Sequence, residues 1–282
     1  MKRIPILAGV ALAILLSATA CSAAVSTTPS ATPKPGPAGL IKPGVLTACI
    51  DPEYAPLEYY KNGADGDIIG FDADAARAIA KYWKVDIKFV VTTFEGLQPG
   101  LAGGRCDLIP GGLYMSAARL AVLDGSAYMK TGPSLIVGKG LKGKITKELD
   151  LCGMTISAQS ASANATVAQS VGDKCVAAGK ANVTVAEYPK TADTVLAVVN
   201  GKAQALIETD VAAADIVSKN KGTLVGVKGI FPTDTTFGMF TKHNSALTPS
   251  LAKAIAALKD DGTLGTIAKR YNLDPESITT TP

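Results

Sequence analysis

From residue 45 onward the chain alternates short apolar runs with stretches of helical periodicity. Val45 to Ile50 reads as a strand, and Phe71 to Lys84 as a helix with Ala75, Ala76, Ile79, Ala80 and Trp83 on one face. Val85 to Val91 is β-like, Glu95 to Gly103 helical, and Cys106 to Ile109 a third buried strand. After Gly143 the pattern restarts. Met154 to Ala158, Val183 to Tyr188 and Ala203 to Ile207 read as strands, with helices over Ser162 to Gly179 and Thr191 to Asn200 between them. Strands that alternate with helices predict parallel pairing with crossover helices, and two such units predict two lobes of an α/β protein. A last strand, Thr236 to Thr241, precedes a helix with Thr248 as its cap, Pro249 in its first turn and Gly262 at its end.

The first twenty residues do not fit that alternation. Lys2 and Arg3 precede an apolar run from Ile6 to Leu16 and a small-residue stretch ending at Cys21. This is the order of a secretory signal peptide, with an apolar run too short to span a bilayer. The residues before Cys21 match a lipoprotein processing site, so lipidation (palmitate) at Cys21 is expected; a plain cut near Ala20 or Ala24 is the alternative. Residues 22–42 are rich in Ser, Thr, Ala and Pro and read as a tether.

Composition narrows the function classes. The chain is 47% hydrophobic and 18% charged, and loss of Lys2 and Arg3 lowers its formal charge from +4 to +2. No basic face stands out, which argues against a nucleic-acid partner. Beyond Cys21 the cysteines are Cys49, Cys106, Cys152 and Cys175. An even number in an exported chain predicts two disulfides, in any of three pairings, and the lack of a C-x-x-C spacing argues against metal. No cofactor is implied. The one histidine, His243, sits in a polar loop, which disfavours Ser-His-Asp or Cys-His catalysis.

Four segments, in order, carry a resemblance. They are Gly44 to Glu58 (GVLTACIDPEYAPLE), Gly70 to Ala75 (GFDADA), Phe94 to Ile109 (FEGLQPGLAGGRCDLI) and Asp260 to Tyr271 (DDGTLGTIAKRY). Together they resemble the family 3, or polar amino acid, extracellular solute-binding proteins of ABC importers. The resemblance implies a two-lobed, type II periplasmic-binding-protein-like fold, each lobe a parallel-dominated sheet flanked by helices. It implies crossings near Lys130–Ser134 and Phe231–Thr235. One lobe then comprises residues 43–130 and 235–282, the other residues 131–234. Pairing Cys49 with Cys106 and Cys152 with Cys175 puts each disulfide inside one lobe.

By the same resemblance the protein is a lipid-anchored receptor on the outer side of the bacterial cytoplasmic membrane. It is monomeric, and delivers a carboxylate-bearing, amino-acid-like ligand to a permease. Asp51 and Tyr54 fall in the loop after the first strand, where α/β sheets place ligands. Tyr54 and Phe94 are expected as aromatic walls, with Asp51 also able to fix its own loop. Gly111 and Gly112 would let backbone approach the ligand, and Tyr114 would floor the pocket. Arg119 stands where the family carries its carboxylate-binding arginine, and a guanidinium suits that role through paired hydrogen bonds. Ser162 and Ala163 open a helix whose free N–H groups suit the same carboxylate. Thr209, flanked by Glu208 and Asp210, stands where relatives place an acid for the ligand's ammonium. A sensory lipoprotein and a cyclohexadienyl-dehydratase-like enzyme are the alternative functions on this fold.

Overall fold

The structure, a computed structural model, describes residues 36–282. The expected signal peptide, the lipidation site Cys21 and the tether as far as residue 35 lie outside the described residues.

Strand β1 (Val45–Ile50) opens the first lobe and is followed by a small antiparallel meander of β2 (Glu53–Tyr54), β3 (Glu58–Tyr60) and β4 (Ile68–Ile69). Helix α1 (Phe71–Trp83) carries the chain across to β5 (Asp86–Val91), which pairs in parallel with β1. Phe71, Ala75, Ala76, Ile79 and Ala80 are buried at helical spacing, and Lys84 closes the helix in the left-handed conformation. Thr93 caps α2 (Phe94–Ala102) by accepting the Gly96 N–H. The chain continues through β6 (Ile109–Tyr114), the short α3 (Ala117–Leu120) and β7 (Leu123–Thr131).

The second lobe begins at β8 (Pro133–Gly138) and adds β9 (Thr155–Gln159), α4 (Ala163–Ala177) and β10 (Thr184–Tyr188). It then adds α5 (Thr191–Val199), β11 (Ala205–Thr209), α6 (Asp210–Lys219) and β12 (Leu224–Val227). Its five strands lie in the order β10-β9-β11-β8-β12, parallel across the first three and antiparallel where β8 and β12 join. Side-chain alternation gives this sheet a core on each face. Leu135, Val137, Ala205 and Ile207 pack on one side, and Ile136 and Leu206 on the other. Strand β13 (Thr235–Lys242) returns to the first lobe and lies antiparallel between β6 and β7, before α7 (Thr248–Asp260) and α8 (Thr263–Arg270).

Two local readings shift. The strand expected at 106–109 starts at Ile109 and takes in Gly111 to Tyr114, because β6 pairs with β13, Leu113 opposite Gly238 and Tyr114 opposite Phe237. Asp107, left outside it, accepts N–H bonds from Ile41 and Thr47 and the Thr47 hydroxyl, drawing the end of the tether onto the body. Thr248 does not cap α7; its hydroxyl bonds Asp124 and Thr241 instead, while Pro249 keeps its place in the first turn.

The disulfides Cys49–Cys106 and Cys152–Cys175 both form, each within the lobe expected. The two segments that join the lobes pass in contact. A Cβ on Gly132 would lie 2.6 Å from the Pro232 carbonyl oxygen and 2.7 Å from Thr233 Cα. Asp210 ties the same point to α6, its Oδ1 accepting from the Thr131 hydroxyl (2.6 Å) and the Gly132 N–H (3.4 Å).

Candidate functional site

A small cavity lies where the carboxyl ends of the strands of both lobes meet. Its lining includes Tyr54, Phe94, Gly112, Leu113, Tyr114 and Arg119 from the first lobe. From the second come Gln159, Ser162, Ala163, Asn164, Glu208 and Thr209. Its volume is about 20 Å³, little more than one water molecule needs. The lobes therefore stand closed on each other, and nothing as large as an amino acid enters without their parting.

Arg119 is the most unusual group in this lining. Ser116 caps α3 and places Arg119 in its first turn, where the side chain is buried. One terminal nitrogen donates to the Tyr114 carbonyl at 2.6 Å, and Nε has no partner. The guanidinium lies 5.8 Å above the Phe240 ring, and no carboxylate is within ion-pair reach of it among the described residues. Burial lowers its pKa to about 10, so it remains charged at neutral pH. A buried cation without a counter-charge is costly, and an anion brought to it recovers that cost.

Glu208 faces the cavity from the other lobe. It is the penultimate residue of β11, and Oε1 accepts from the Thr209 N–H (2.7 Å), the Tyr54 hydroxyl (2.9 Å) and Asn164 Nδ2 (3.0 Å). Burial raises its pKa to about 7 against the lowering effect of the Thr209 and Tyr54 bonds. Asn164 presents its remaining acceptor, Oδ1, buried and unpartnered. Tyr54 also bonds the Thr209 hydroxyl at 2.6 Å, so one phenol bridges the lobes at two points. Lys190 and Glu53 form an exposed ion pair at 2.6 Å across the same cleft.

The expected site residues divide. Tyr54, Phe94, Gly112, Tyr114, Arg119, Ser162, Ala163 and Thr209 line the cavity. Asp51 and Gly111 do not. Asp51 lies behind it, where burial and the nearby Glu53 raise its pKa to about 6 against the lowering effect of the Phe94 N–H at the start of α2. Gly111 faces away, where a Cβ would collide with the Glu58 carboxyl. Ser162 Oγ caps α4 by accepting the Ala165 N–H, and Thr209 Oγ1 caps α6 through Ala212 N–H. Of the two acids beside Thr209, Glu208 reaches the cavity and Asp210 turns to the lobe crossing. Gln159 and Asn164 were not singled out as site residues, and Glu208 was named only as one of the two acids flanking Thr209. The available signal for Glu208 was its place at a strand's carboxyl end, and for Asn164 its place in the first turn of a helix.

A larger cavity of about 630 Å³ lies between α6, β12 and the returning segment. Its walls include Ala213, Val217, Val225 and Phe231, with no opposed pair of buried charges like Arg119 and Glu208.

Residues 46–274 match the sequence profile of the bacterial extracellular solute-binding proteins, family 3. The arginine-binding protein ArgT of Corynebacterium glutamicum is 28% identical over 244 residues, spanning 84% of this chain and 77% of that one. The L-cystine-binding protein TcyJ of Escherichia coli K12 is 25% identical over 234 residues, 81% of this chain and 82% of the other. The crystal structure of the amino acid ABC transporter substrate-binding protein AbpA of Streptococcus pneumoniae superposes with a TM-score of 0.73 at 24% identity. It covers 81% of this chain and 94% of that one, a likeness of the two-lobed fold.

Proposed function

We propose that this chain, which belongs to the family 3 bacterial extracellular solute-binding proteins, binds a free amino acid between its lobes and delivers it to an ABC permease. The observation that carries this reading is Arg119, a buried guanidinium with an unpartnered Nε at the cavity and, among the described residues, no carboxylate in ion-pair reach. The ligand's carboxylate takes that guanidinium and the first N–H groups of α4, where the helix dipole adds to the attraction. Its ammonium takes Glu208 and the free Oδ1 of Asn164. On this reading Glu208, one of the two acids flanking Thr209, takes the part that relatives give to an acid at that position. The side chain of the ligand lies against Tyr54 and Phe94. Lobe boundaries at residues 131 and 234 fit this reading, since the crossing segments meet at Gly132 and Thr233.

Binding begins from a parted form. The lobe carrying Arg119 meets the carboxylate first, and closure then brings Glu208 and Asn164 onto the ammonium. Only the closed form makes both sets of contacts, and that difference is what drives the equilibrium toward it. We read the chain as a receptor rather than an enzyme. Lipidation at Cys21 would tether it as a monomer outside the cytoplasmic membrane, within reach of its permease. Relatives named for arginine and for cystine leave the ligand's side chain open.

A thermal-melt panel tests the reading. It compares each free amino acid with its methyl ester, which lacks the carboxylate, and with its N-acetyl derivative, which lacks the ammonium. A cognate amino acid at ~100 times its Kd stabilises by about 2.7 kcal/mol, and both derivatives lose that gain. An ester that stabilises as well as its parent acid overturns the role of Arg119.

A further inference from the structure

Beneath the cavity lies a second group of acids that the binding reading does not use. Glu58 of β3 and Asp72 in the first turn of α1 are both buried, and their carboxyl groups converge on the same dipeptide, Glu58 against Gly111 and Asp72 on the Gly112 N–H, near enough to act on each other. Each has one oxygen, Glu58 Oε2 and Asp72 Oδ1, that makes no well-aligned hydrogen bond among the described residues. Two ionised carboxylates buried side by side repel each other, and one proton between them relieves the repulsion and gives both orphaned oxygens a partner.

The pair grips the cavity floor. Asp72 Oδ2 accepts the Gly112 N–H at 2.8 Å, and the Glu58 carboxyl fills the space a side chain at Gly111 would need. On the opposite side, a Cβ on Gly112 would lie 2.7 Å from the Tyr54 ring, and Gly112 itself has a φ of 36°. The two glycines are therefore threaded between an acid pair and an aromatic wall, where no larger residue fits.

We propose that Glu58 and Asp72 share a single proton and act as positioning residues, holding the Gly111–Gly112 floor in the shape that meets the ligand. This rests on the reading of the cavity as the ligand site. The other groups acting on the pair are Asp51 after β1, Tyr128 of β7 and the Gly112 N–H of β6; none is cationic. Tyr128 is wholly buried, and its hydroxyl lies against Asp72 without a well-aligned bond. Burial holds Glu58 well above the usual carboxylate range. It raises Asp72 to about 7, opposed by the Glu58 carboxyl and Tyr128 hydroxyl beside it and by the Gly112 N–H bond. Loss of the shared proton leaves two adjacent buried charges, whose repulsion breaks the hold on Gly112 and shifts the floor under Tyr54.

Two ligand-independent measurements on the whole protein test this. Infrared spectra at pH 8 should show the carbonyl stretch of a protonated carboxyl that survives Glu208→Gln and disappears in Glu58→Gln. Hydrogen exchange of the 109–114 segment should stay within about threefold of wild type in Glu58→Gln, whose amide still donates to Asp72. It should speed up about tenfold or more in Glu58→Leu, which cannot donate. Absence of the band in wild type, its persistence in Glu58→Gln, or equal exchange in the two variants overturns the proposal. Should Glu58→Leu fail to fold, the band and the Glu58→Gln exchange still decide. A failed amino-acid panel would leave both measurements standing, so the two readings fail separately.

Discussion

If Glu208 receives the ligand's ammonium, then affinity must depend on pH in a way that Glu208→Gln abolishes. In the ligand-free protein burial lifts this carboxyl from 4.5 to about 7. A bound ammonium favours the ionised form and lowers that value again, so binding below pH 7 releases a proton. Affinity should rise about tenfold per pH unit up to pH 7 and level off above it, while the ligand's ammonium keeps its charge throughout. At pH 8 replacing Glu208 by Gln removes a charged hydrogen bond worth about 1.5–3 kcal/mol, a loss of roughly 10- to 100-fold. At pH 5 the wild type has itself lost about 100-fold, and the two proteins should converge. Stability follows the opposite sign. A raised pKa favours the folded state below pH 4.5, and that benefit, about 3 kcal/mol for this group, is lost as pH rises through 7. Titration calorimetry across pH 5–8 in buffers of different ionisation enthalpy reads both affinity and proton release. A flat wild-type profile, or a Glu208→Gln profile with the wild-type slope, would refute the assignment.

Arg119→Met should weaken binding by about 30-fold or more, the cost of stripping one partner from a buried charge pair. The melting point without ligand should move little, because loss of the bond to the Tyr114 carbonyl and of the contact with the Phe240 ring is offset by relief of an uncompensated buried charge; a large drop in stability without ligand would contradict that view of the residue. Gly132→Ala forces a methyl group onto the Pro232 and Thr233 backbone, so it should cost about 1–3 kcal/mol and impair closure. Unchanged denaturation and unchanged small-angle scattering with ligand would show that the crossing segments do not pack this closely. Replacing Cys152 and Cys175 together by Ser opens a loop of 23 residues and should cost up to about 3 kcal/mol, read by urea denaturation.

Much of the fold was legible because its signals are local. The face of α1 repeats within 13 residues, and β1, β9, β10 and β11 are apolar runs set between helices. What escaped depends on distant pairing. Strand β6 extends over Gly111 and Gly112 only because β13, more than a hundred residues later, supplies its partners. In the same way Thr248 gives up a cap for bonds to Asp124 and Thr241 across the lobe. The site followed suit. Arg119 and Tyr54 were marked by segment resemblance and line the cavity, whereas Glu208 and Asp210 could not be separated along the chain. Their roles divide in space, because the crossing at Thr131 and Gly132 captures Asp210 and leaves Glu208 facing Asn164.

The phenol of Tyr54 has a kinetic consequence. Where the lobes meet, that hydroxyl holds Glu208 and Thr209, so on the proposed reading an amino acid entering between them competes with a contact inside the protein. Molecules in that state do not capture anything, and apparent affinity is scaled down by the fraction that is parted. Uptake should also become insensitive to concentration once the solute is abundant, because the slow event is then the release of a tyrosine rather than the encounter. On the proposed reading, release of Tyr54 sets an upper limit on the rate of capture.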